Sequence, residues 1–477
     1  MVPYPYCPTA EIEFEHAFHG LCPLHGNPGA AASELIKPSP SASDLEMTLV
    51  DSSLFEEQPE FRAALRICAV PERVMTFRVV WEDDAGKPQV NIGYRVQFNS
   101  ALGPYKGGVR FHRSVNLSIL KFLSFEQTFK NALTGLNMGG AKGGANFDSR
   151  GKSDNEIRRF CQAYMRELSN FISLDSDVPA GDIGVSMREI GYMFGTYRQT
   201  RAQWDGVLTG DWGGSMMRPE ATGYGLVYYV EHMLKYKSLC DLKGLRVAIS
   251  GCGNVAKHAA LKAIELGAVV CCLSDSQGAL IGGPQGLTRA DVERAARLQA
   301  EHCCLIVMDN GGHLRYLEGF TPWRHVGRID VALPCATQNE FDEGDAVHLL
   351  CKGLKIVAEG SVMACTKMAV AMLERERQFT GVWYAPSKAA SCGGVAVSGL
   401  ENAQFPLSGM KRDSWTSEEV NEKLKAIMKQ VFDEGIRAAD RYASHVLNLL
   451  PSLRVGSNIA AFIRVAQAMK YQGDYWA

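Results

Sequence analysis

The chain has 477 residues, of which 21% are charged and 46% hydrophobic, and a formal net charge of −2. This length predicts two domains, because a single hydrophobic core seldom grows beyond about 250–300 residues. The near-neutral charge excludes a strong field for nucleic acid or an anionic membrane, and no apolar run is long enough to span a bilayer.

The first 45 residues are rich in Pro, Gly, Ala and Ser and predict a poorly ordered extension. Its His and Cys residues match no zinc spacing, so no metal site is predicted. The N-terminal segment has neither the apolar region of a secretory signal nor the early arginines of a transit peptide. The fourteen cysteines show no framework spacing and are interpreted as reduced thiols. We therefore expect a cytoplasmic protein.

Residues 46–215 alternate helical patterns with short apolar stretches and glycine-rich turns, as expected of an α/β domain. Within it, Phe122, Phe125 and Phe129 recur at three- and four-residue steps and predict a helix over 117–133. We assign this domain to substrate binding and oligomer contacts.

Residues 216–414 begin with a predicted helix at about 220–236 and continue as alternating strands and helices. This alternation is typical of a parallel, doubly wound, Rossmann-type sheet. Helices over 415–477 are expected to return to the first domain. The predicted strands are 245–250, 269–274, 330–333, 356–358 and 382–385.

A glycine-rich turn with the sequence G-C-G-N-V-A follows the first of these strands at 251–256. Gly251 permits a tight turn, Gly253 lets the backbone approach a pyrophosphate, and the small Ala256 lets helix and strand pack closely. The helix N-terminus then faces the anion. The turn predicts a dinucleotide site that includes Gly251, Gly253, Asn254 and Val255.

The end of the second strand decides between NAD and NADP. An acidic residue there accepts from the ribose 2′-hydroxyl, whereas a 2′-phosphate needs donors and positive charge. Asp275 stands at this place between Ser274 and Ser276, and Arg289 begins the next helix. The hydroxyls and the arginine favour NADP, and NAD held by Asp275 is the alternative.

Three lysines and one aspartate lie in glycine-rich surroundings that suit a dicarboxylate substrate. Lys106 and Lys142 occur in G-P-Y-K-G-G and G-G-A-K-G-G, the second interpreted as a loop, and Lys130 is one helical turn after Gln127. Asp182 follows in G-D-I-G. Singly, each has a structural explanation: Lys130 can pair with an acid on its own helix, and Asp182 can cap the helix that follows.

Taken together, these segments resemble the small, hexameric class of glutamate dehydrogenases in the Glu/Leu/Phe/Val dehydrogenase family, from about residue 60 onward. The run N-M-G-G-A-K-G-G at 137–144 is highly specific to that family. The resemblance implies NADP- or NAD-dependent, reversible reductive amination of 2-oxoglutarate with ammonium to L-glutamate. It also implies a homohexamer and a role in ammonium assimilation. It is carried by residues 94–108, 125–148, 177–190, 218–226, 330–340 and 387–401.

The resemblance implies roles for four substrate residues. Lys106 and Ser398 would hold the distal carboxylate, and Gln127 and Lys130 the carboxylate beside the reacting carbon. Relatives that act on branched-chain or aromatic amino acids carry apolar residues at the positions of Lys106 and Ser398. A cation and a hydroxyl there favour glutamate, since an apolar side chain would leave the lysine buried and unpaired.

The same resemblance makes Lys142 the catalytic lysine and Asp182 the residue that transfers protons to and from nitrogen. A desolvated lysine near other cations has a lowered pKa, so Lys142 would polarise the carbonyl. Thr222 and Asn254 would contact the cofactor. The site is expected in a cleft between the two domains.

Three positions depart from the family pattern. The loop at 209–214 is about three residues short, Val362 replaces an asparagine expected beside the cofactor, and Ser391 replaces a second asparagine. All three are assigned to the cofactor side. They keep one alternative open, a catalytically weakened paralogue that acts as a subunit or regulatory partner in a mixed oligomer.

Overall fold

The computed structural model describes residues 41–203, 217–238, 241–301, 303–404, 415–443 and 450–475. Contacts divide the chain into two compact units. The first unit comprises Met1–Thr128, Gly139–Val207 and Val465–Ala477, and the second comprises Phe129–Met138 and Leu208–Arg464. Each unit contains one sheet, so the predicted α/β class with two domains is confirmed.

The first unit is built on a mixed sheet with the order β1-β2-β4-β3-β5. β1 and β2 form an antiparallel hairpin, β2 pairs antiparallel with β4, and β3 pairs parallel with both β4 and β5. Its strands are β1 (Arg73–Glu82), β2 (Pro88–Asn99), β3 (Tyr105–Phe111), β4 (Gly139–Ala145) and β5 (Asp177–Gly181).

Six helices of the described residues accompany this sheet, the fourth of which passes into the second unit at Phe129, and the sequence sets where several of them begin. Ser153 and Ser186 each start a helix with a capping box, in which serine and glutamate side chains bond the free N–H groups of the first turn. The helix predicted over 117–133 is confirmed. The six are α1 (Ser41–Val50), α2 (Leu54–Glu57), α3 (Phe61–Cys68), α4 (Leu117–Leu133), α5 (Asp154–Leu168) and α6 (Met187–Arg201).

The second unit contains a sheet with the order β12-β11-β10-β6-β7-β8-β9. Five strands run parallel, as predicted, whereas β8 and β9 add an antiparallel edge that the sequence pattern missed. Its strands are β6 (Arg246–Ile249), β7 (Val269–Ser274), β8 (Gly278–Gly282), β9 (Leu314–Glu318), β10 (Val331–Leu333), β11 (Ile356–Ala358) and β12 (Trp383–Ala385).

Helices of the second unit cover this sheet over a core that includes the buried Trp323, Phe341 and Val357. None of the described helices is both long and apolar enough to cross a membrane. The helices are α7 (Ala221–Tyr236), α8 (Asn254–Glu265), α9 (Arg289–Ala300), α10 (Glu343–Cys351), α11 (Lys367–Glu376), α12 (Ser387–Ala390), α13 (Gly393–Gln404), α14 (Ser417–Tyr442) and α15 (Leu453–Gln472).

The observed division differs from the predicted bounds of 46–215, 216–414 and 415–477. Helix α14 belongs to the second unit, where it packs on α7 and α13, and only the part of α15 from Val465 onward belongs to the first. At the other end, α1 begins at Ser41, inside the segment predicted as an extension to residue 45. Residues 1–40 lie outside the described part of the chain.

Candidate active site

The glycine-rich run around Lys142 is the strand β4, not the loop that was expected. Glycine is needed there because neighbouring backbones and side chains come too close for a Cβ. A Cβ on Gly140 would clash with Thr128 of α4, and one on Gly107 of β3 would clash with the carbonyl of Ala141. The glycines therefore let β3, β4 and α4 approach one another, and this close approach buries Lys142.

Lys142 forms an ion pair with Asp182, which follows β5 directly. Arg110, at the end of β3, donates from Nε to the other carboxylate oxygen of Asp182 at 3.0 Å. The side chains of Lys142 and Asp182 are only 10% and 12% exposed. Asp182 does not cap the next helix, because Ser186 does so. The predicted catalytic pair is thus brought together in one buried network.

The surrounding charges shift both groups of the pair. Burial lowers the pKa of Lys142, and Arg110 and Arg95 lower it further against the opposing effect of Asp182. For Asp182, burial raises the pKa, but the charges of Lys142 and Arg110 outweigh burial and hold this pKa well below its ordinary value. The network therefore favours an ionised carboxylate and eases loss of a proton from the lysine.

A second ion pair lies beneath this site and was missed in the sequence. Arg95 of β2 and Asp177 of β5 are fully buried and bonded to each other, with 2.9 Å between Nε and Oδ2. Arg95 also donates to the carbonyl of Gly107 at 3.1 Å. The sequence did contain a signal for this ion pair, because an arginine within the apolar strand Y-R-V-Q-F needs a buried partner.

Lys106 and Gln127 are both neighbours of Gly107, the first in the sequence and the second in space. Lys106 precedes this glycine on β3 and is 2% exposed. Gln127 projects from α4 so that its Cγ would be 3.1 Å from a Cβ placed on Gly107. Asp182 lies against the residue that follows Gly107 on β3, since a Cβ built on Gly108 would be 2.8 Å from the Cβ of Asp182. Two predicted substrate residues and the predicted proton carrier thus converge on one short stretch of β3.

The other two predicted substrate residues belong to the second unit. Lys130 donates from Nζ to the hydroxyl of Ser391 at 2.9 Å, and Ser391 donates to the carbonyl of Ser387 at 2.7 Å. Ser391, assigned to the cofactor side, therefore contacts a predicted substrate lysine. Ser398 is buried, and its hydroxyl has no hydrogen-bond partner among the residues that the structure describes.

The predicted dinucleotide turn joins β6 to α8. Gly251 has a φ of +79°, and a Cβ there would lie 3.1 Å from Ala336, so this glycine is required by the fold itself. Gly253 and Asn254 are exposed at the start of α8, and no described atom lies within 4 Å of a Cβ built on Gly253. Val255 occupies the first turn, where backbone N–H groups are free to bind an anion.

Thr222 and Asn254 lie near the same turn. Asn254 donates to the carbonyl of Pro219 at 2.7 Å, which ties the N-terminus of α8 to the segment before α7. Thr222, in the first turn of α7, lies so close to Gly394 of α13 that a Cβ on that glycine would clash with its hydroxyl. The two predicted cofactor contacts thus begin neighbouring helices.

Asp275 is occupied by donors of its own unit. Its Oδ1 accepts from the N–H groups of Gln277 and Gly278 at 2.8 and 2.9 Å and from the phenol of Tyr316 at 2.8 Å. Its Oδ2 accepts from the N–H of Leu305 at 2.8 Å. Burial raises the pKa of Asp275, but these hydrogen bonds outweigh it, so the carboxylate stays ionised. Little acceptor capacity remains for a ribose hydroxyl, which argues against the NAD alternative.

The neighbours of Asp275 have separate functions. Ser274 is buried and accepts from the N–H of Gly251 at 2.7 Å, so it fixes the dinucleotide turn. Ser276 is exposed, and Arg289 is exposed in the first turn of α9, 3.8 Å from Glu293. The free hydroxyl and the guanidinium are groups that bind a 2′-phosphate.

The loops after β10 and β11 contain strain that the sequence did not predict. Asn339 and Met363 have φ values of +56° and +52°, and Asn339 donates to the carbonyl of Met363 at 2.8 Å. Val362 is half-buried in this strained segment. Beside it, burial raises the pKa of Glu340 to about 7, against the N–H groups that it accepts from. Left-handed residues other than glycine cluster at functional sites, so these loops belong to the candidate site.

Two parts of the prediction cannot be placed. The shortened loop at 209–214 and the histidines and cysteines of the first 40 residues lie outside the described residues. Within the described ranges, no group of three or more His, Cys, Asp or Glu residues is arranged to hold a metal ion.

Comparison with known proteins gives one consistent result. Residues 213–473 match the family described as Glutamate/Leucine/Phenylalanine/Valine dehydrogenase. Residues 71–199 match the Glu/Leu/Phe/Val dehydrogenase, dimerisation domain. The chain is 59% identical over 441 residues to the NADP-specific glutamate dehydrogenase of Neurospora crassa, covering 91% of this chain and 96% of that protein.

Solved structures show the same similarity. Glutamate dehydrogenase from Plasmodium falciparum superposes with a TM-score of 0.84 at 43% identity, over 91% of this chain and 90% of that one. The hetero-hexameric glutamate dehydrogenase from Thermus thermophilus gives a TM-score of 0.76 at 29% identity, over 92% of this chain and 98% of that one.

Proposed function

The chain belongs to the Glu/Leu/Phe/Val dehydrogenase family, and on that premise we propose that it is an NADP-dependent glutamate dehydrogenase. It interconverts 2-oxoglutarate, ammonium and NADPH with L-glutamate and NADP. The observation that carries this assignment is the buried Lys142–Asp182 pair, with its lowered lysine pKa, beside Lys106 and Gln127.

The substrate residues supply charge for two carboxylates. Lys106 and Ser398 bind the distal carboxylate, and this role is supported by the buried hydroxyl of Ser398, which has no partner in the part of the chain that the structure describes. Gln127 and Lys130 bind the carboxylate beside the reacting carbon, with Ser391 orienting the ammonium of Lys130. Lys106 is a buried cation, and a substrate with an apolar side chain would place hydrocarbon instead of a carboxylate beside it, which selects against branched-chain and aromatic amino acids.

Catalysis combines polarisation with proton transfer. Lys142 donates to the C2 carbonyl oxygen and so prepares the carbon for attack by ammonia. Asp182 accepts and returns the proton on the substrate nitrogen. After ammonia has added, the former carbonyl oxygen leaves as water, and a bound nicotinamide would supply the hydride to the resulting iminium carbon. Because Lys142 and Asp182 are mostly buried, each of these charges acts in a medium of low dielectric.

The second unit fits a dinucleotide, and NADP fits it better than NAD. The open space at Gly253 and the free N-terminus of α8 accommodate a pyrophosphate. Asn254 and Val255 belong to this turn, Thr222 in the first turn of α7 is the further cofactor contact, and Ser276 and Arg289 are the donors for the 2′-phosphate. Relatives described as NADP-specific agree with this choice.

The protein acts as an oligomer on small-molecule substrates, and we propose a homohexamer. The match to a dimerisation domain supports association. A location in the cytoplasm and a role in ammonium assimilation are further parts of the proposal. The eleven described cysteines are all free thiols, which supports a reducing compartment.

The experiment that tests the function is oxidation of NADPH and of NADH by the purified protein with 2-oxoglutarate and ammonium. We expect turnover with NADPH to be much faster than with NADH, and none when a branched-chain or aromatic 2-oxo acid replaces 2-oxoglutarate. A folded protein that binds NADPH but turns over neither cofactor would instead support the weakened paralogue. The comparisons give that alternative no support, since the relatives named above are all described as glutamate dehydrogenases.

A further inference from the structure

The two carboxylate oxygens of Asp182 have different partners. Oδ1 accepts from Nε of Arg110 at 3.0 Å and from the backbone N–H of Ile183 at 2.6 Å. Oδ2 accepts from the ammonium of Lys142. One oxygen is therefore fixed by two groups of the fold, and the other faces a cationic nitrogen.

The sheet itself sets the contact between Arg110 and Asp182. The parallel pairing of β3 with β5 ends at Val109 and Gly181, so the residues that follow this last pair are Arg110 on β3 and Asp182 directly after β5. Pairing of β3 with β4 continues through Arg110 opposite Gly144, which holds the backbone of the arginine in place. Its side chain is 16% exposed. The guanidinium is thus delivered to Oδ1 by strand register rather than by a mobile loop.

We propose that Arg110 is a positioning residue that anchors Oδ1 of Asp182, so that Oδ2 is the oxygen that exchanges a proton with the substrate nitrogen. This inference rests on the proposed function. In deamination an N–H bond of the substrate breaks and an O–H bond forms at Oδ2. In amination the O–H bond at Oδ2 breaks and the proton returns to nitrogen. The ammonium of Lys142 on Oδ2 marks the approach that a substrate nitrogen takes.

The charges around the pair come from every strand that packs against it. Removing the charge of Arg110 takes a cation away from both Lys142 and Asp182 and leaves the other groups in place. Because Arg110 lowers both pKa values, its loss raises both. The titratable and charged groups on β2 to β5 and in the residues just after β3 and β5 are Tyr94, Arg95, Tyr105, Lys106, Arg110, His112, Arg113, Lys142, Asp177 and Asp182.

The test compares Arg110→Met, Arg110→Lys and the control Arg159→Met. Arg159 also donates to a carboxylate, that of Asp84 at 2.6 Å, but does not contact Lys142 or Asp182. We expect kcat of Arg110→Met to fall by about 10²-fold, because a small misplacement of a reacting group costs that much. KM for NADPH should stay within about twofold. Both limbs of its pH–rate profile should move to higher pH. Arg110→Lys should recover part of kcat, and Arg159→Met should behave as the parent.

A double-mutant cycle separates positioning from general support of the fold. If Arg110 acts through Asp182, adding Arg110→Met to Asp182→Asn should lower kcat no further. Equal losses in both backgrounds would overturn the inference, as would an Arg110→Met enzyme with parental kcat and pH profile. Should the methionine variant not fold, Arg110→Gln, which also removes the charge but keeps a polar side chain, carries the same pH comparison. Failure of the proposed function would appear in the parent enzyme, whereas failure of this inference would appear only in the variants.

Discussion

In the first unit the polar side chains of the site bond one another, whereas in the second unit the cofactor side is built mainly from backbone. Lys142, Asp182 and Arg110 form a buried chain of charges. In the dinucleotide turn, the groups exposed for a ligand are Gly253 and the N-terminus of α8. The carboxylate of Asp275 instead accepts hydrogen bonds from other residues of the second unit. Chemistry and cofactor binding should therefore respond differently to substitution. Losing a charge in the first unit should lower kcat, and filling space in the second should raise KM for the cofactor.

The largest effect is expected from Lys142→Ala. This change removes the cation that polarises the carbonyl and takes from Asp182 the partner of its Oδ2, so kcat should fall by roughly 10³-fold. KM for NADPH should change little. The measurement is steady-state NADPH oxidation, with the surface variant Lys152→Ala as control, since Lys152 pairs only loosely with Glu156 at 4.0 Å. Activity within tenfold of the parent would remove Lys142 from the mechanism.

Lys106→Leu should act on substrate choice. Without this cation a side-chain carboxylate would be buried unpaired, so kcat/KM for 2-oxoglutarate should fall by about 10²-fold or more. Use of a branched-chain 2-oxo acid should rise relative to 2-oxoglutarate. Parallel assays with the two oxo acids measure this, and the exposed Lys87→Leu is the matched control. An unchanged preference for 2-oxoglutarate would contradict the role of Lys106.

Substitutions at the two glycines of the dinucleotide turn test the cofactor side of the comparison, in the second unit. Gly253→Ala meets no described atom within 4 Å, so the fold should stay intact while KM for NADPH rises about tenfold. Gly251→Ala should lower the melting temperature, because its φ is +79° and Ala336 lies close. Gly327→Ala, which also has open space, is the control for the first change. An unaltered KM for NADPH in Gly253→Ala would show that the cofactor does not approach this turn.

The smallest effect is expected at Ser391, which links a predicted substrate lysine to α12. Ser391→Ala removes the acceptor for Lys130, and hydrogen bonds to charged groups contribute about 1.5–3 kcal/mol, so KM for 2-oxoglutarate should rise about tenfold. KM for NADPH should not change. Ser124→Ala is a matched control, since its hydroxyl likewise donates to the carbonyl four residues earlier, at 2.6 Å. A rise in KM for NADPH alone would return Ser391 to the cofactor side.

The sequence alone predicted what depends on local pattern. The period of the phenylalanines located α4, and alternation of apolar runs with glycine turns located the five parallel strands of the second unit. Strand β9 was missed because its pairing with β8, from Gly278 opposite Glu318 to Gly282 opposite Leu314, is remote in the sequence, and no local period records it. Strand β8 pairs locally with β7, but its run G-A-L-I-G has glycine at both ends, and glycine is depleted in strands. The strand β4 was mistaken for a loop because its glycines serve close packing on β3 and α4 rather than flexibility.

The site residues also differ in how far the sequence alone could predict them. The dinucleotide turn is a contiguous motif, so its geometry followed from spacing and from the strand and helix around it. Lys106, Lys142 and Asp182 lie far apart in the sequence, so only the family resemblance could assign them to one site. In the structure, the pairing of β3 with β4 and β5 brings them together. Arg110 and Arg95 were not assigned, because their importance lies in which carboxylate each one faces, and strand register decides that. Asp275 was weighed as a ribose ligand because the sequence does not show that Tyr316 and Leu305 reach it.

The most direct test of the account follows nitrogen rather than the cofactor alone. The purified protein would be supplied with NADPH, 2-oxoglutarate and ¹⁵N-labelled ammonium, and labelled glutamate would be quantified against NADPH consumed. The account predicts equimolar ¹⁵N-glutamate and NADP, with both formed roughly 10³-fold more slowly by Lys142→Ala. Oxidation of NADPH without labelled glutamate, or no reaction in a folded protein that binds both substrates, would contradict it.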